Sequence, residues 1–272
     1  MTRIGVDEAG KGPVLGPMIA AAVRAAPAAL PDGIDDSKRI APARRDALDE
    51  RLRAHPAIDV GVAAVEPTEI DDPETDMNAL TVAAQARAVV DLLAASGSPA
   101  DSEAPVTDSE PPATDSEATG TAPDDPSTTP GASSTTSDRS ISLLVDAGDV
   151  SEERFGRRVR EAVEAALPRE TGCDTSPNVS ITARHGADAD SPLVGAASIV
   201  AKVERDRRMA AIDKRHPDYD GVGSGYPSDP TTTAFLEAYV DDTGDVPDCA
   251  RRSWRTCERL LARHEQSGLG EF

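Results

Sequence analysis

Two adjacent carboxylates, Asp7 and Glu8, stand near the start of the chain and lead into a glycine-rich turn, GVDEAGKGP. Alternation of aliphatic with smaller residues predicts a short strand, Arg3–Asp7, whose end delivers the acids. Gly10 and Gly12 carry no side chain, so a ligand can approach the backbone and its amide N–H groups. Carboxylates beside such a backbone suit a divalent cation and a phosphodiester, although a solvated acidic turn has the same pattern. Because neighbouring strand residues point to opposite faces, the two acids can share a site only where the strand ends and twists.

Two further acidic positions follow predicted strands later in the chain. Asp146 comes directly after Ile141–Val145, at the end of the strand where open sheets bind ligands. After Val179–Ala183, either Asp188 or Asp190 can join the same cluster, with helix capping as the alternative. The four candidate ligands are Asp7, Glu8, Asp146 and Asp188. Such an all-oxygen set suits Mg²⁺ or Mn²⁺ and is poor for zinc.

A predicted helix, Leu193–His216, carries polar side chains that can contact phosphates. Ser198, Lys202 and Arg205 follow one another at helical spacing and share one face. An ion pair between Lys202 and Asp206, one turn on, is an equally good interpretation.

Two later segments carry the aromatic and basic side chains that a nucleic-acid substrate requires. The loop GVGSGYPSDP presents Tyr226, which can stack on a base or sugar or cover a hydrophobic edge. The segment RRSWR contains Arg251 and Arg252, which can form a local basic strip. Trp254, the only tryptophan, is expected in the core.

Taken in order, these segments resemble the ribonuclease HII family. The motifs are DEAGKGP at the start, DSK at 36–38, VDA at 145–147, AD at 187–188, ASIVAK at 197–202, GSGYP at 223–227 and RRSW at 251–254. The last is similar to the archaeal branch. The family pattern does not contain the Ser-, Thr- and Pro-rich segment 96–140.

The resemblance implies an RNase H-like fold and endonucleolytic cleavage of the RNA strand of RNA–DNA hybrids, including ribonucleotides embedded in duplex DNA. It implies hydrolysis with two ions, Mg²⁺ or Mn²⁺, that leaves 3′-OH and 5′-phosphate ends. The implied metal ligands are Asp7, Glu8 and Asp146, with Asp188 as the fourth catalytic carboxylate.

The resemblance also assigns the substrate contacts. Gly10, Lys11 and Gly12 would sense the ribose 2′-OH, and Tyr226 would lie beside the following deoxyribose. The family usually has arginine where Lys11 stands. If backbone amides sense the ribose, lysine suffices, whereas a bidentate guanidinium contact would be lost.

Two other functions remain open. One is a different RNase H-like nuclease, such as a ribonuclease HIII or a resolvase, but the former usually adds an N-terminal domain for which the residues before the first motif leave no room. The other is a non-catalytic module of the same fold that binds RNA–DNA hybrids.

Composition limits the general properties of the chain. Its 272 residues carry a formal charge of −21 and a sequence pI of about 4.5, which argues against a general electrostatic attraction to nucleic acid. High acidity with few lysines is typical of proteins that remain soluble in concentrated salt. Three cysteines without metal-ligand spacing indicate reduced thiols in a cytoplasmic protein. We expect no membrane association and a monomer.

The order of predicted elements indicates an α/β fold, in which a mixed five-stranded sheet is flanked by helices and followed by a C-terminal helical region. The remaining predicted strands are Pro17–Val23 and Ile58–Val65. The remaining predicted helices are Ser37–His55 capped by Ser37, Ala79–Ala95, Ser151–Leu167, Thr231–Val240 and Arg251–Glu265. We expect a catalytic domain over 1–95 and 141–225, a disordered acidic insert over 96–140 and a substrate-binding region over 226–272.

Overall fold

The computed structural model describes residues 2–34, 40–95, 140–167 and 178–269. Within these ranges the strands are β1 (Thr2–Ala9), β2 (Met18–Ala25), β3 (Ile58–Val65), β4 (Ile141–Asp146) and β5 (Val179–Arg184). The α-helices are α1 (Pro42–Ala54), α2 (Pro67–Ile70), α3 (Met77–Ala95), α4 (Glu152–Ala166), α5 (Ala187–Asp190), α6 (Pro192–Arg215), α7 (Pro230–Thr243) and α8 (Arg255–Leu269). No helix in the described part of the chain has the length and apolar content needed to cross a bilayer.

The strands form one mixed sheet in the order β3-β2-β1-β4-β5, which confirms the predicted architecture. The pairs β1–β2 and β2–β3 are antiparallel, whereas β1–β4 and β4–β5 are parallel. Val6 of β1 lies opposite Val145 of β4. Parallel pairing therefore brings Asp7 and Asp146, the next residues along each strand, to the same edge of the sheet.

Helices cover both faces of the sheet, and strand alternation sorts the side chains between them. Ile4 and Val6 of β1 join the core that α3 and α4 cover. Alternate residues of β2, such as Ile19, face a second core formed with α1 and α6. On this second face α6 approaches β1 so closely that a Cβ on Gly5 would lie 2.5 Å from the backbone of Leu193.

A third core joins the C-terminal helices to the turn that follows β1. Val14 and Leu15 of that turn pack with Met209 of α6 and Phe235 of α7. Main-chain hydrogen bonds reinforce the connection, because Val14 N and Leu15 N both donate to the carbonyl of Gly225. The C-terminal region therefore fixes the position of the glycine-rich turn.

Several predicted element bounds differ from the structure, and three of the differences bear on the site. The first helix begins at Pro42 rather than Ser37, because proline fits the first turn of a helix, where no backbone N–H is needed. The last begins at Arg255, since Arg251 and Trp254 are held by hydrogen bonds to the turn that follows β1. Strand β1 continues to Ala9, so both acids lie within it.

Some expectations concern residues outside the described ranges. They include the disordered insert, of which only residue 140 is described, the DSK motif at 36–38, the proposed cap Ser37, and Cys173.

Candidate active site

Asp7 is a buried carboxylate on the α6 face of β1, with 4% of its surface exposed. Its Oδ1 accepts a hydrogen bond from the N–H of Glu8 at 2.8 Å, and its side chain is also hydrogen-bonded to Ser198 on α6. The Ser198 hydroxyl in turn accepts a hydrogen bond from Lys202 Nζ at 2.9 Å. The predicted Lys202–Asp206 pair is replaced by this contact, because Asp206 pairs with Arg45.

Glu8 extends from the opposite face of β1 towards α3. Its Oε2 accepts a hydrogen bond from Gln85 Nε2 at 2.7 Å, and the same nitrogen donates to the main-chain carbonyl of Asp146 at 3.1 Å. Gln85 is fully buried, and its Oε1 has no hydrogen-bond partner among the described residues. Sequence reasoning missed Gln85. A glutamine in an otherwise apolar helical run, VAAQA, was the available signal.

Asp146 ends β4 and connects to α5. Its Oδ1 accepts a hydrogen bond from the N–H of Ala187 at 2.9 Å. Asp188, which follows Ala187, is buried with 3% of its surface exposed, whereas Asp190 is exposed. Of the two candidates after β5, Asp188 is therefore the one held inside the protein, next to the backbone contact that Asp146 makes.

The electrostatics of the site show that its carboxylates act on one another. Burial raises the pKa of Asp7 well above its ordinary value, and the charges of Glu8 and Asp146 raise it further. Burial raises the pKa of Glu8 to about 7, with Asp146 adding to the rise and with Gln85 and the Lys11 cation opposing it. Such a cluster is costly as bare anions, and a divalent cation would relieve the repulsion.

The donor set fits a hard divalent cation, although the side chains are not gathered tightly. In the described ranges, no three of these carboxylates have oxygens that all lie within 4.8 Å of one another. The reason is the one expected from strand geometry, because Asp7 and Glu8 leave β1 on opposite faces. The oxygen donors, their mutual repulsion and the unpaired Gln85 Oε1 nevertheless match a site for Mg²⁺ or Mn²⁺ with water.

Among the described residues, one group of possible metal ligands does have all its ligand atoms within this distance, and it lies away from the carboxylates. Ligand atoms of His216, Asp248 and Cys249 all lie within 4.8 Å of one another. Burial raises the pKa of the Cys249 thiol to about 11, and Arg215 lies 3.7 Å from Asp248. A protonated thiol and a competing guanidinium make this group a poorer cation site than the carboxylates.

The glycine turn begins where β1 ends. Gly10 has a φ of 88°, and a Cβ there would lie 2.6 Å from the side chain of Arg205, so only glycine fits. The Lys11 side chain points towards β4 and α3, where Nζ donates to the carbonyl of Gly148 at 2.5 Å and to Asn78 Oδ1 at 3.3 Å. The lysine thus links the turn to the neighbouring elements.

Tyr226 stands beside the turn and is 43% exposed. A Cβ on Gly12 would lie 3.9 Å from its ring. Arg205 supports the ring from beneath, with its guanidinium carbon 5.3 Å from the ring centroid and Nη2 donating to the carbonyl of Ser224 at 2.9 Å. An exposed, supported ring next to the turn is suited to stacking on a sugar or base.

The two predicted basic residues of the C-terminal segment have different environments. Arg252 is exposed and forms an ion pair with Asp245. Arg251 is fully buried, and its guanidinium donates to carbonyls of the glycine turn. Direct contact between Arg251 and substrate does not fit this burial. Trp254 is partly buried and packs against two cores, close to expectation.

The family model described as ribonuclease HII matches residues 4–119 and 159–257. The chain belongs to the ribonuclease HII family. The match leaves out 120–158, so the placement of Asp146 rests on the pairing of β4 with β1. As a member of this family, the chain is an endoribonuclease that cleaves RNA in RNA–DNA hybrids.

Its curated relatives include proteins from halophilic archaea. The ribonuclease HII of Halobacterium salinarum is 46% identical over 272 residues and is covered completely, as is this chain. That of Haloarcula marismortui is 44% identical over 270 residues, which cover 99% of this chain and all of the relative.

Solved structures share the fold. The ribonuclease H2 of Pyrococcus horikoshii OT3 is 28% identical with a TM-score of 0.68, covering 98% of this chain and 100% of that one. A structure of the PCNA:RNase HII complex from Archaeoglobus fulgidus gives 27% identity and a TM-score of 0.64, covering 94% and 96% of the two chains. The predicted RNase H-like fold is therefore confirmed.

Proposed function

We propose that the carboxylates at the ends of β1 and β4 form the active site, in which the RNA strand is hydrolysed with divalent cations. The observation that carries the proposal is that Glu8 and Asp146 raise the pKa of Asp7, and Asp146 raises that of Glu8, in a site where β1 and β4 end together. Asp188, buried beside the Asp146 contact, is the proposed fourth member.

The site residues have different proposed roles in the reaction. Two ions held by Asp7, Glu8 and Asp146 would activate water, orient the scissile phosphate and stabilise the leaving oxygen. Ser198 and Lys202 hold the Asp7 carboxylate in its buried position. Gln85 fixes Glu8 against the backbone of Asp146. The proposed products carry 3′-OH and 5′-phosphate ends.

The substrate contacts are proposed on the exposed side of the glycine turn. Gly12 and Tyr226 lie next to one another there and are both exposed. We propose that the turn reads the ribose 2′-OH and that Tyr226 stacks on the adjoining sugar, which would allow cleavage at a single ribonucleotide in duplex DNA. Two side chains are the proposed phosphate contacts: Lys202, near the acids, and Arg252, at the exposed edge of the site. We further expect a cytoplasmic monomer.

The test is cleavage of two labelled 20-base-pair DNA duplexes, one with a single ribonucleotide and one entirely deoxy. With Mg²⁺ or Mn²⁺ we expect a cut at the ribonucleotide and none in the control duplex. End-group analysis should give 3′-OH and 5′-phosphate. Binding of the ribonucleotide duplex without cleavage under either ion would instead favour the non-catalytic binding module.

A further inference from the structure

Arg251 is a buried cation that is hydrogen-bonded to the main chain of the glycine turn. Its Nε donates to the carbonyl of Gly16 at 3.1 Å, Nη1 to that of Lys11 at 3.0 Å and Nη2 to that of Gly10 at 2.5 Å. No carboxylate lies within ion-pair distance of this guanidinium in the described ranges. The peptide carbonyls are therefore its direct hydrogen-bond partners.

Trp254 is also hydrogen-bonded to the main chain of the glycine turn. Its indole Nε1 donates to the carbonyl of Gly12 at 3.2 Å, and its ring centroid lies 5.0 Å from the guanidinium carbon of Arg251. Three consecutive carbonyls, those of residues 10–12, thus accept hydrogen bonds from one short segment. The carbonyls of Gly10 and Lys11 are turned towards the buried Arg251, and that of Gly12 is turned towards the partly buried Trp254.

The direction of these carbonyls fixes the direction of the N–H groups. In a trans peptide the C=O of one residue and the N–H of the next point in opposite directions, and the described chain contains no cis peptide bond. With the carbonyls of Gly10 and Lys11 turned inwards, the N–H groups of Lys11 and Gly12 point away from Arg251. Neither N–H has an acceptor among the described residues.

The side chain of Lys11 does not compete for this surface. Its ammonium is hydrogen-bonded to Gly148 and Asn78, and the exposed residue of the turn, Gly12, has no side chain. The open face of the turn consequently offers main-chain donors, with the ring of Tyr226 beside them.

We propose that Arg251 and Trp254 are positioning residues for recognition of the ribose 2′-OH. By holding the carbonyls of residues 10–12 inwards, they present the N–H groups of Lys11 and Gly12 to the hydroxyl oxygen of a ribonucleotide. This inference rests on the proposed function, because it assumes a substrate in which one ribose differs from its deoxy neighbours. It also explains why lysine serves at position 11, since the side chain takes no part.

Arg251 also has a structural role, because removing its donors would leave main-chain carbonyls unpaired and would lower stability. An apolar residue at position 251 could not hold the carbonyls of Gly10 and Lys11 to one side. The distinguishing property is therefore selectivity between ribose and deoxyribose rather than stability.

The experiment measures affinity for the duplex with one ribonucleotide and for its all-deoxy counterpart, with Ca²⁺ present to limit turnover. Arg251→Lys keeps the charge but loses the planar set of donors. Trp254→Phe keeps an aromatic ring and removes only the N–H. Arg263→Lys makes the same exchange at an exposed position of α8 and is the matched control. Thermal unfolding of each variant is recorded in parallel.

We expect the ratio of the two affinities to fall about tenfold in Arg251→Lys and about threefold in Trp254→Phe, and to stay at the wild-type value in Arg263→Lys. The loss should come from the ribonucleotide duplex alone. Wild-type ratios in both variants, or an equal loss for both duplexes, would overturn the positioning role while leaving the proposed function intact. A wild-type enzyme without any preference for the ribonucleotide would overturn both.

Discussion

Asp7 is a buried carboxylate whose closest electrostatic neighbours are other carboxylates. Glu8 and Asp146 both raise its pKa, whereas a hydrogen bond from Ser198 lowers it. A protein gains nothing in stability from such an arrangement in the absence of a cation. Its presence at the ends of two parallel strands is thus best explained by the reaction.

Asp146→Asn should abolish cleavage and leave the fold intact. The amide keeps an oxygen that can accept from Ala187 N–H but carries no charge to hold a cation. We expect kcat/KM to fall by at least about a thousandfold. Because one repulsive charge is removed, the free energy of unfolding without metal should stay the same or rise. Near-normal turnover would remove Asp146 from the site.

The raised pKa of Glu8 predicts how stability depends on pH in the absence of metal. The folded protein holds a proton on Glu8 up to about pH 7, whereas the unfolded chain releases it near the ordinary value. Stability from this group is therefore complete at low pH and is lost as the pH rises through about 7. Urea unfolding in EDTA between about pH 5 and about pH 8 should show this decline, and Glu8→Gln should reduce its slope. Equal slopes would contradict the assignment.

The candidate acids could be named from the sequence, but the residues that contact them could not. Asp146 and Asp188 could be found because strand ends and small following residues are local signals. Gln85 contacts Glu8 across 77 residues of chain, and no local pattern reports such a distance. The hydrogen bonds from Arg251 to the glycine turn could not be predicted for the same reason. An arginine at this position suggested phosphate binding instead.

At the scale of elements, the contact between β1 and α6 sets the geometry of the site. Asp7 reaches Ser198 only because the helix lies directly against the strand, and Gly5 permits that approach. Two residues before Asp7, Gly5 lies on the same face of β1. Its lack of a side chain is thus a requirement of the site rather than a feature of a turn.

Gly5→Ala should be strongly destabilising, by about 3 kcal/mol or more, because the new methyl would overlap the backbone of Leu193, which cannot move like a side chain. Gly186→Ala is the matched control. A Cβ there meets nothing within 4 Å, so only its φ of 68° is unfavourable, at about 1 kcal/mol. Chemical denaturation measures both. A smaller loss for Gly5→Ala than for the control would show that the helix can shift.

Local patterning predicted the elements whose ends are set locally. Strand β3 has the predicted bounds, Ile58–Val65, because polar and turn-forming residues flank it. Helix α4 begins after Ser151, whose side chain accepts from Arg154 N–H as a cap. The start of α8 was misplaced, because residues 251–254 bind the glycine turn, and that tertiary contact overrides their helical tendency.

At the scale of the molecule, a net charge of −21 must coexist with binding to a polyanion. Concentrated salt screens both the internal repulsion and the repulsion between enzyme and substrate. Halophilic archaea are among the sources of its relatives, which fits an enzyme adapted to such conditions.

We therefore expect the melting temperature to be higher in about 2 M KCl than in about 0.1 M KCl, with cleavage persisting at the higher concentration. Ordinary nucleic-acid binding weakens steeply over that range. Sucrose solutions of equal osmolality control for effects other than screening. A melting temperature that falls with salt, or activity confined to dilute buffer, would reject halophilic adaptation.

Asp7, Glu8 and Asp146 are proposed to hold the same cations, and titration calorimetry with Mn²⁺ measures that binding. The wild-type protein should bind Mn²⁺ and unfold at a higher temperature in its presence, whereas Asp7→Asn and Asp146→Asn should each weaken binding by about tenfold or more. Variants that fold normally and bind Mn²⁺ with wild-type affinity would contradict the account.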